Sequence, residues 1–561
     1  MNLGKRNSEY EGRKLNLAKV FFVILLVILV IASIMFLINS LNSMEENTNI
    51  AKKEENIIGN QEVENELETI EEKLEKVVLN FGGEVKEKVK PDTSFVSKGG
   101  ENYTVYADGE IIKGTIIPWE GNEAKPAVDE AGNINIYSAA ELAWVANRVI
   151  LGEKNFNGVT ITLRNNIDLG GREKEDGSWE GPLWNSIIGF LGGEADQPGD
   201  VAKEQIGEDT NIKNENLKRF AGVFNGNGCW IRGMRIDTQK RYQGLFGYQT
   251  GIISALTIKY SDVKAGESSG ILVGLNEGKI KNCSIENSSI YSNEKTGGLV
   301  GIAMTNSIIE ECAIDENSKV SGKSYIGGLV GYINNNVTAQ NLTSKAIVKG
   351  NNYVGGIAGV SFFGNLLKNL NTEGCIEGKE YVGGLIGYSQ AEIERSTNNS
   401  LIIGENYVGG LVGLNHTMGN IANSINKGNL EIISENAGGI AGINNGTISS
   451  CYNIGKIDST QTDKLTIGGI CGQNLSDSFI NTSYNIGKIR NQNYAGGVVG
   501  ADFGTITNCF CLNTCLEKDT EDTDYKTSEE EMKNNIISKL GNDYNIDEEN
   551  KNNGYPILNW Q

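Results

Sequence analysis

Three thiols crowd one short stretch, Cys509, Cys511 and Cys515, and sulfur at such spacing could hold a metal ion or form a disulfide. A structural zinc site would need a CxxC pair and a second pair to complete the tetrahedron. Neither is present, so no metal ligand is expected, and whether these three pair stays open. The chain has nine cysteines, an odd number, and their spacing does not resemble a disulfide framework. Cys283, Cys312, Cys451 and Cys509 fall at one recurring point of the sequence and read as small buried hydrophobes.

The acids and the single histidine are the other residues whose types could do chemistry. A polysaccharide lyase or hydrolase needs convergent carboxylates, or Lys and Arg, on one face. Glu310, Glu311, Asp315, Glu392 and Glu394 occupy non-equivalent places and read as solvated corners. His416, between Asn415 and Thr417, reads as an exposed loop residue. Glu141 and Asp168 read as a helix-capping and a turn residue. No catalytic, cofactor or metal residue is therefore named, and a non-enzyme is expected.

What positions these residues is a repeat. A short phrase recurs ten times: QGLFG at 243, GILVG at 270, GGLVG at 297 and 327, GGIAG at 355, GGLIG at 383, GGLVG at 409, GGIAG at 438, GGICG at 468 and GGVVG at 496. Successive copies lie 26 to 30 residues apart, a period that marks a repeat architecture. One period, such as that from Asn436, holds three short β-prone pieces, around 437–443, 447–451 and 454–457, parted by Asn-Gly and Asn-x-Gly corners. No piece is long enough for a helix. Three strands per period predict one triangular turn of a right-handed parallel β-helix, an all-β solenoid of about ten coils; a propeller blade would need four strands. At the corners glycine is expected because the backbone takes positive φ or passes close to its neighbour. Stacking should align Asn426, Asn453 and Asn485 in one column, with turns about 4.8 Å apart.

Glycine at 71 residues and proline at only 6 suit short strands with tight corners and exclude collagen-like or proline-rich chains. A net charge of -21 argues against a nucleic-acid partner, which attracts basic surfaces.

Residues 20–38, VFFVILLVILVIASIMFLI, carry no charge and as a helix just cross the hydrocarbon of a bilayer. Basic residues before the span place residues 1–19 in the cytoplasm and the bulk outside. Cleavage of this segment is the alternative to an uncleaved anchor. Residues 39–100 read as a helical spacer and linker, in which Val63, Leu67, Ile70, Leu74 and Val77 form a 4-3-4-3 apolar stripe. That stripe is either the solvated face of a spacer or a weak homo-oligomeric seam. Residues 101–236 read as a capping module with the first coils. They include a hairpin at Asp108-Gly109 and a capped helix opened by Ser138 and Glu141, its face Leu142, Val145, Val149 and Ile150. The solenoid spans 237–515. Residues 516–561, with a helix-prone EEEMKNNIISKLG and a closing YPILNW, read as the second cap over the last coil.

The GG[LI][VAIC]G phrase, the YVGG at 353, 381 and 407 and the Asn-x-Gly corners resemble the GLUG motif repeats of bacterial surface proteins, over about residues 243–515. INIYSAAELAWVANRV with NNIDLGG, and NGYPILNWQ, resemble the segments that flank those repeats. The resemblance implies an adhesin-like protein, or the non-catalytic part of an IgA-cleaving metalloprotease. The zinc-binding HExxH of those proteases is missing, since His416 is the sole histidine. The functions to be separated are an extracellular adhesin or scaffold for glycans, matrix or cell-surface proteins, a polysaccharide-active enzyme, and a structural subunit of the cell envelope.

Overall fold

The computed structural model describes residues 95–98, 101–105, 111–113, 116, 118–184, 218–434, 436–459, 466–490, 495–516 and 525–561, all within the unit Thr93–Gln561. The expected span at 20–38 and the stripe from Val63 to Val77 lie outside these residues. Among the described residues no helix is long and apolar enough to cross a membrane.

One period makes one turn. In the turn around residue 450, strands Thr447–Ser449 and Tyr452–Asn453 lie on a first face, Ile457–Ser459 and Ile467–Gly468 on a second, and Cys471–Asn474 on a third. Each pairs in parallel with its equivalents one period away. Ile448 sits between Ile421 and Ile480, Asn453 between Asn426 and Asn485, Ile457 between Leu430 and Ile489, and Cys471 between Ala441 and Val499. Alternate residues point inward, so Ile421, Ile448 and Ile480, all fully buried, build a continuous core through the stack.

The third face is a sheet of ten strands, one for each copy of the phrase. The solenoid itself has about 12 turns, because the first face starts earlier. Ile134–Ile136 pairs in parallel with Thr160–Leu163, which pairs with Val223–Asn225, which in turn pairs with Ile252–Lys259. These early turns carry no strand on the third face and hence no phrase, which is why counting phrases falls short. Phe220, Phe224 and Phe246 fill the wide start of the core, with ring centroids 5.1 to 6.5 Å apart.

The glycines act by close approach. None of the phrase glycines takes a positive φ. A Cβ on Gly384 would overlap the carbonyl oxygen of Gly410 and stand 2.7 Å from Asn398 Nδ2. The equivalent atom on Gly439 would stand 2.6 Å from Asn453 Nδ2. The left-handed backbone falls instead to other residues. On the first face ten successive turns bend at Ala255, Asn282, Glu311, Asn341, Asn369, Arg395, Asn423, Ser450, Thr482 and Asn508, each with φ between 44 and 55°. Asparagine is common there because it tolerates this region better than other non-glycine residues.

The asparagine column forms as expected and is longer. Thr372 Oγ1 donates to Asn398 Oδ1 at 2.7 Å, and Asn398, Asn426 and Asn453 each donate Nδ2 to the next Oδ1 at 2.7 to 2.9 Å, ending at Asn485. The Asn485 amide then donates to the Gly487 and Gly497 carbonyls, both at 3.2 Å. A second column on the third face has no counterpart in the sequence reading: Asn415, Asn444 and Asn474 donate in turn and end on Asp502 Oδ1, a carboxylate that only accepts.

Both ends are covered. Helix α1, Ala139–Ile150, opens with the expected capping box of Ser138 and Glu141, and its Leu142, Val145 and Val149 join the core beside Phe156 and Ile161. Strand Glu101–Val105 pairs antiparallel with Ile111–Lys113, the hairpin expected at Asp108-Gly109. A further strand, Phe95–Lys98, stands where the sequence reads as linker. The C-terminal segment does more than seal the last turn. Trp560 Nε1 donates to Asn423 O at 2.9 Å, Tyr544 Oη to Thr482 O at 3.0 Å, and Tyr452 Oη to Gln561 Oε1 at 2.8 Å. The tail thus runs back along the side of several turns, covering the stacked, fully buried Tyr452 and Tyr484.

Two predictions test this packing. Gly384→Ala, which adds only the overlapping carbon, should lower stability by about 2–4 kcal/mol in urea unfolding, a cost of overpacking without backbone strain. Asn453→Ala breaks the relay between Asn426 and Asn485, each of which keeps one backbone partner, and takes away the acceptor of the buried Gly455 amide. It should cost about 2–4 kcal/mol, against no more than about 0.5 kcal/mol for alanine at exposed Lys427, both measured by the same unfolding.

Candidate functional site

The acids are dispersed and partnered. Glu310 and Glu394 sit at one register position of the first face, in a column running Lys281, Glu310, Gln340, Lys368, Glu394. They are strand residues, where corners were expected. Lys279 Nζ lies 3.0 Å from Glu310 and Lys368 Nζ lies 2.8 Å from Glu394. The Lys279 hydrogen bond holds the Glu310 carboxyl below its ordinary range. Glu311 reaches Lys281 at 3.6 Å, and Glu392 is exposed. Asp315 accepts from the Asn287 amide, and its burial pushes its carboxyl up. Glu310 and Glu311 meet only at the Lys281 ammonium, at 4.0 and 3.6 Å, in an ion-pair cluster on the wall of the first face.

Asp168 accepts the Gly170 amide at 2.9 Å, a turn contact as expected, but it is also the buried centre of a triad with two arginines. Arg172 Nη2 lies 2.6 Å and Arg232 Nη2 3.0 Å from its Oδ2, and its side chain is 1% exposed. The sequence gives no sign of this, since Arg232 is 64 residues away in the next turn of the stack. Asp168→Asn would leave two guanidinium groups poorly compensated in the wall of the first turns. It should destabilise the protein by about 3–5 kcal/mol, read as a lowered unfolding midpoint.

The cysteines at the recurring point, Cys283, Cys312, Cys451 and Cys509, are all buried, and burial pushes the thiols of Cys451 and Cys509 up to about 12. Among the described residues no group of three or more His, Cys, Asp or Glu is placed to hold a metal ion.

A different set of residues does gather. Two positions before the first glycine of the phrase, the backbone is left-handed in Ser268, Lys295, Tyr325, Tyr353, Tyr381 and Tyr407, with φ between 54 and 61°. The last phrase glycine of the following turn makes this possible. A Cβ on Gly387 would stand 2.6 Å from the carbonyl carbon of Tyr353, and one on Gly413 2.6 Å from that of Tyr381. The four tyrosines then stack along the long direction of the solenoid. Ring centroids are 5.1, 4.9 and 4.9 Å apart with interplanar angles of 6, 5 and 20°. The column remains partly exposed.

Beside it, third-face positions add Tyr332, Phe362 and Tyr388. Tyr332 meets Tyr325 at 6.0 Å edge to face, Tyr388 meets Tyr353 at 6.1 Å, and Phe362 lies between Tyr332 and Tyr388. Val360, Phe362 and Tyr388 form an apolar cluster separate from the core. Lys295 Nζ stands 5.3 Å over the Tyr332 ring at one end. At the other end His416 packs on Tyr388 at 5.3 Å, and Gln390 donates to Tyr388 Oη at 2.9 Å and lies 3.3 Å from His416 Nδ1. His416 is thus part of an aromatic cluster, half-buried, where an exposed loop residue was expected. Burial first, then neighbouring phenols, pushes Tyr353 and Tyr381 above the ordinary phenol range, so these hydroxyls stay neutral. The YVGG spelling gave the tyrosine spacing; Tyr332 and Tyr388, each directly after the last glycine of its phrase and in register through Val360, carry a spacing signal of their own, whereas Phe362 carries none.

Residues 404–431 match the family model of the GLUG motif. The repeat is a GLUG repeat. The matched residues are one full turn, holding Tyr407 of the stacked column, the Gly409-Gly410 pair and Asn426 of the buried column. A search of the curated proteins finds no match. Among solved structures, a Bacteroides ovatus protein provisionally described as an immunoglobulin A1 protease is 16% identical, over 78% of this chain and 96% of that chain, with a TM-score of 0.34. A likeness at that level says nothing about activity.

Proposed function

We propose that this GLUG-repeat chain is a membrane-anchored extracellular surface protein, an adhesin or binding scaffold without catalysis, and that its ligand lies along the aromatic strip. The observation that carries this reading is the partly exposed tyrosine column, backed by a buried apolar cluster outside the core, Val360, Phe362 and Tyr388. Aromatic groups grouped at a surface, each an apolar ring with a polar tip, are characteristic of binding faces. The stacked rings present their edges and a row of neutral hydroxyls, repeating at about the strand spacing. That arrangement suits an extended, uncharged polymer lying along the strip, with its own hydroxyls meeting Tyr, Gln390 and His416. A glycan has this chemistry. In this reading residues 20–38 are the anchor, and Val63, Leu67, Ile70, Leu74 and Val77 give at most a weak self-association, which crosslinking on intact cells would reveal.

The test is a glycan array probed with the full chain and with the Tyr353→Ala, Tyr381→Ala double variant. Binding to neutral glycans should weaken at least tenfold in the variant, about 1.4 kcal/mol, while the Asn columns of the first and third faces keep the fold. Binding of neither glycan nor matrix protein by the parent chain would defeat the proposal. Turnover of uronate polymers would favour an enzyme.

A further inference from the structure

The last turn brings together two sulfurs that the repeat does not require. Cys511 stands in register with Asn485, so it continues the buried asparagine column by one more step, and it pairs onward with Lys526. Cys515 follows four residues later, after a turn closed by its own amide donating to Leu512 O at 3.0 Å, and its carbonyl accepts from Ile489 N at 2.7 Å. Both side chains are buried. They converge on one small volume beside Gly497, where an added Cβ would overlap Cys511 Sγ and lie 3.3 Å from Cys515 Sγ. Only glycine leaves room for the two sulfurs at this corner.

The other cysteines are placed differently. Cys283 and Cys312 are neighbours on adjacent turns, but each thiol donates to the carbonyl two residues before it, at 3.4 and 3.2 Å. Cys509 likewise donates to Thr507 O at 3.3 Å. Such thiols are occupied as donors, and their burial disfavours the reactive thiolate. Cys515 is held in the opposite sense. The hydrogen bond from Cys511, then the charge of Lys526 and the Asn485 amide, keep its thiol below the ordinary range.

From this geometry we infer that Cys511 and Cys515 are an oxidation site that closes a disulfide across the final turn, fastening the end of the asparagine column. The oxidant is a disulfide, either a small-molecule one or that of a thiol–disulfide oxidoreductase. The Cys515 thiolate attacks one of its sulfurs and expels the other as a thiolate. The Cys511 thiol then loses its proton and attacks the Cys515 sulfur of the mixed disulfide, expelling the second thiolate. One S–S bond is broken and one is formed, and two electrons and two protons pass to the oxidant. Because both sulfurs are buried, reaction requires opening of the last turn, the place where a stacked array frays most readily.

The test is incubation of the full chain with oxidised glutathione, followed by alkylation without reductant, digestion and mass spectrometry. The expected result is a peptide holding Cys511 and Cys515, two hydrogens lighter and unalkylated, with the titratable thiols falling from nine to seven. Cys515→Ser should retain eight thiols and show no such peptide. Recovery of both residues alkylated after incubation would overturn the inference, as would a Cys283–Cys312 crosslink formed in its place. Because the parent chain alone gives a decisive readout, the inference does not depend on the variant folding.

Discussion

The close approach of a glycine to a carboxamide holds this solenoid together. On each of several turns the second glycine of the phrase lies against the side-chain amide of a buried asparagine, at Gly384 with Asn398, Gly410 with Asn426, Gly439 with Asn453 and Gly469 with Asn485. A buried amide is costly unless every polar atom has a partner. Here each Nδ2 is directed to the next Oδ1, and the column is closed by the Thr372 hydroxyl at one end and by backbone carbonyls at the other. A side chain on the glycine would displace the amide and break the relay, so the corner and the column require one another.

The same economy of space creates the aromatic strip. The last glycine of the phrase packs on the backbone of the preceding turn's left-handed residue, and that residue is tyrosine on four successive turns. Once identical rings start from identical backbone one strand spacing apart, parallel stacking follows from the repeat itself. The strip is therefore a by-product of the phrase. It is confined to those turns where the sequence supplies the rings, from Tyr325 to Tyr407, while later turns carry none at the described positions.

Much of the fold was legible from residue spacing. The period, the three faces, the asparagine column and the Ser138 and Glu141 cap all follow from local patterns that hold over a few residues or over one constant interval. At the corner glycines either positive φ or close approach was expected, and close approach is the one that holds: packing rather than torsion excludes a side chain there. The turns at 160–168 and 220–237 fall within the first coils expected in 101–236, but they lack the third-face strand that bears the phrase, so a count of phrases comes out below the number of turns. Asp168 looked like a turn residue because its second guanidinium, on Arg232, comes from the next turn of the stack.

What the sequence determined by itself is everything that depends on translation by one period: which residues stack on their equivalents, and hence the columns of Ile, Asn and Tyr. Register in a stacked coil is one integer, and ten repeated phrases specify it. Tertiary structure alone decided which residues meet across unequal distances in the chain. The tail reaching back to Asn423, the Asp168 triad and the gathering of Tyr332, Phe362, Tyr388 and His416 depend on the shape of the coil's cross-section. That shape is the joint outcome of three faces and no single period encodes it.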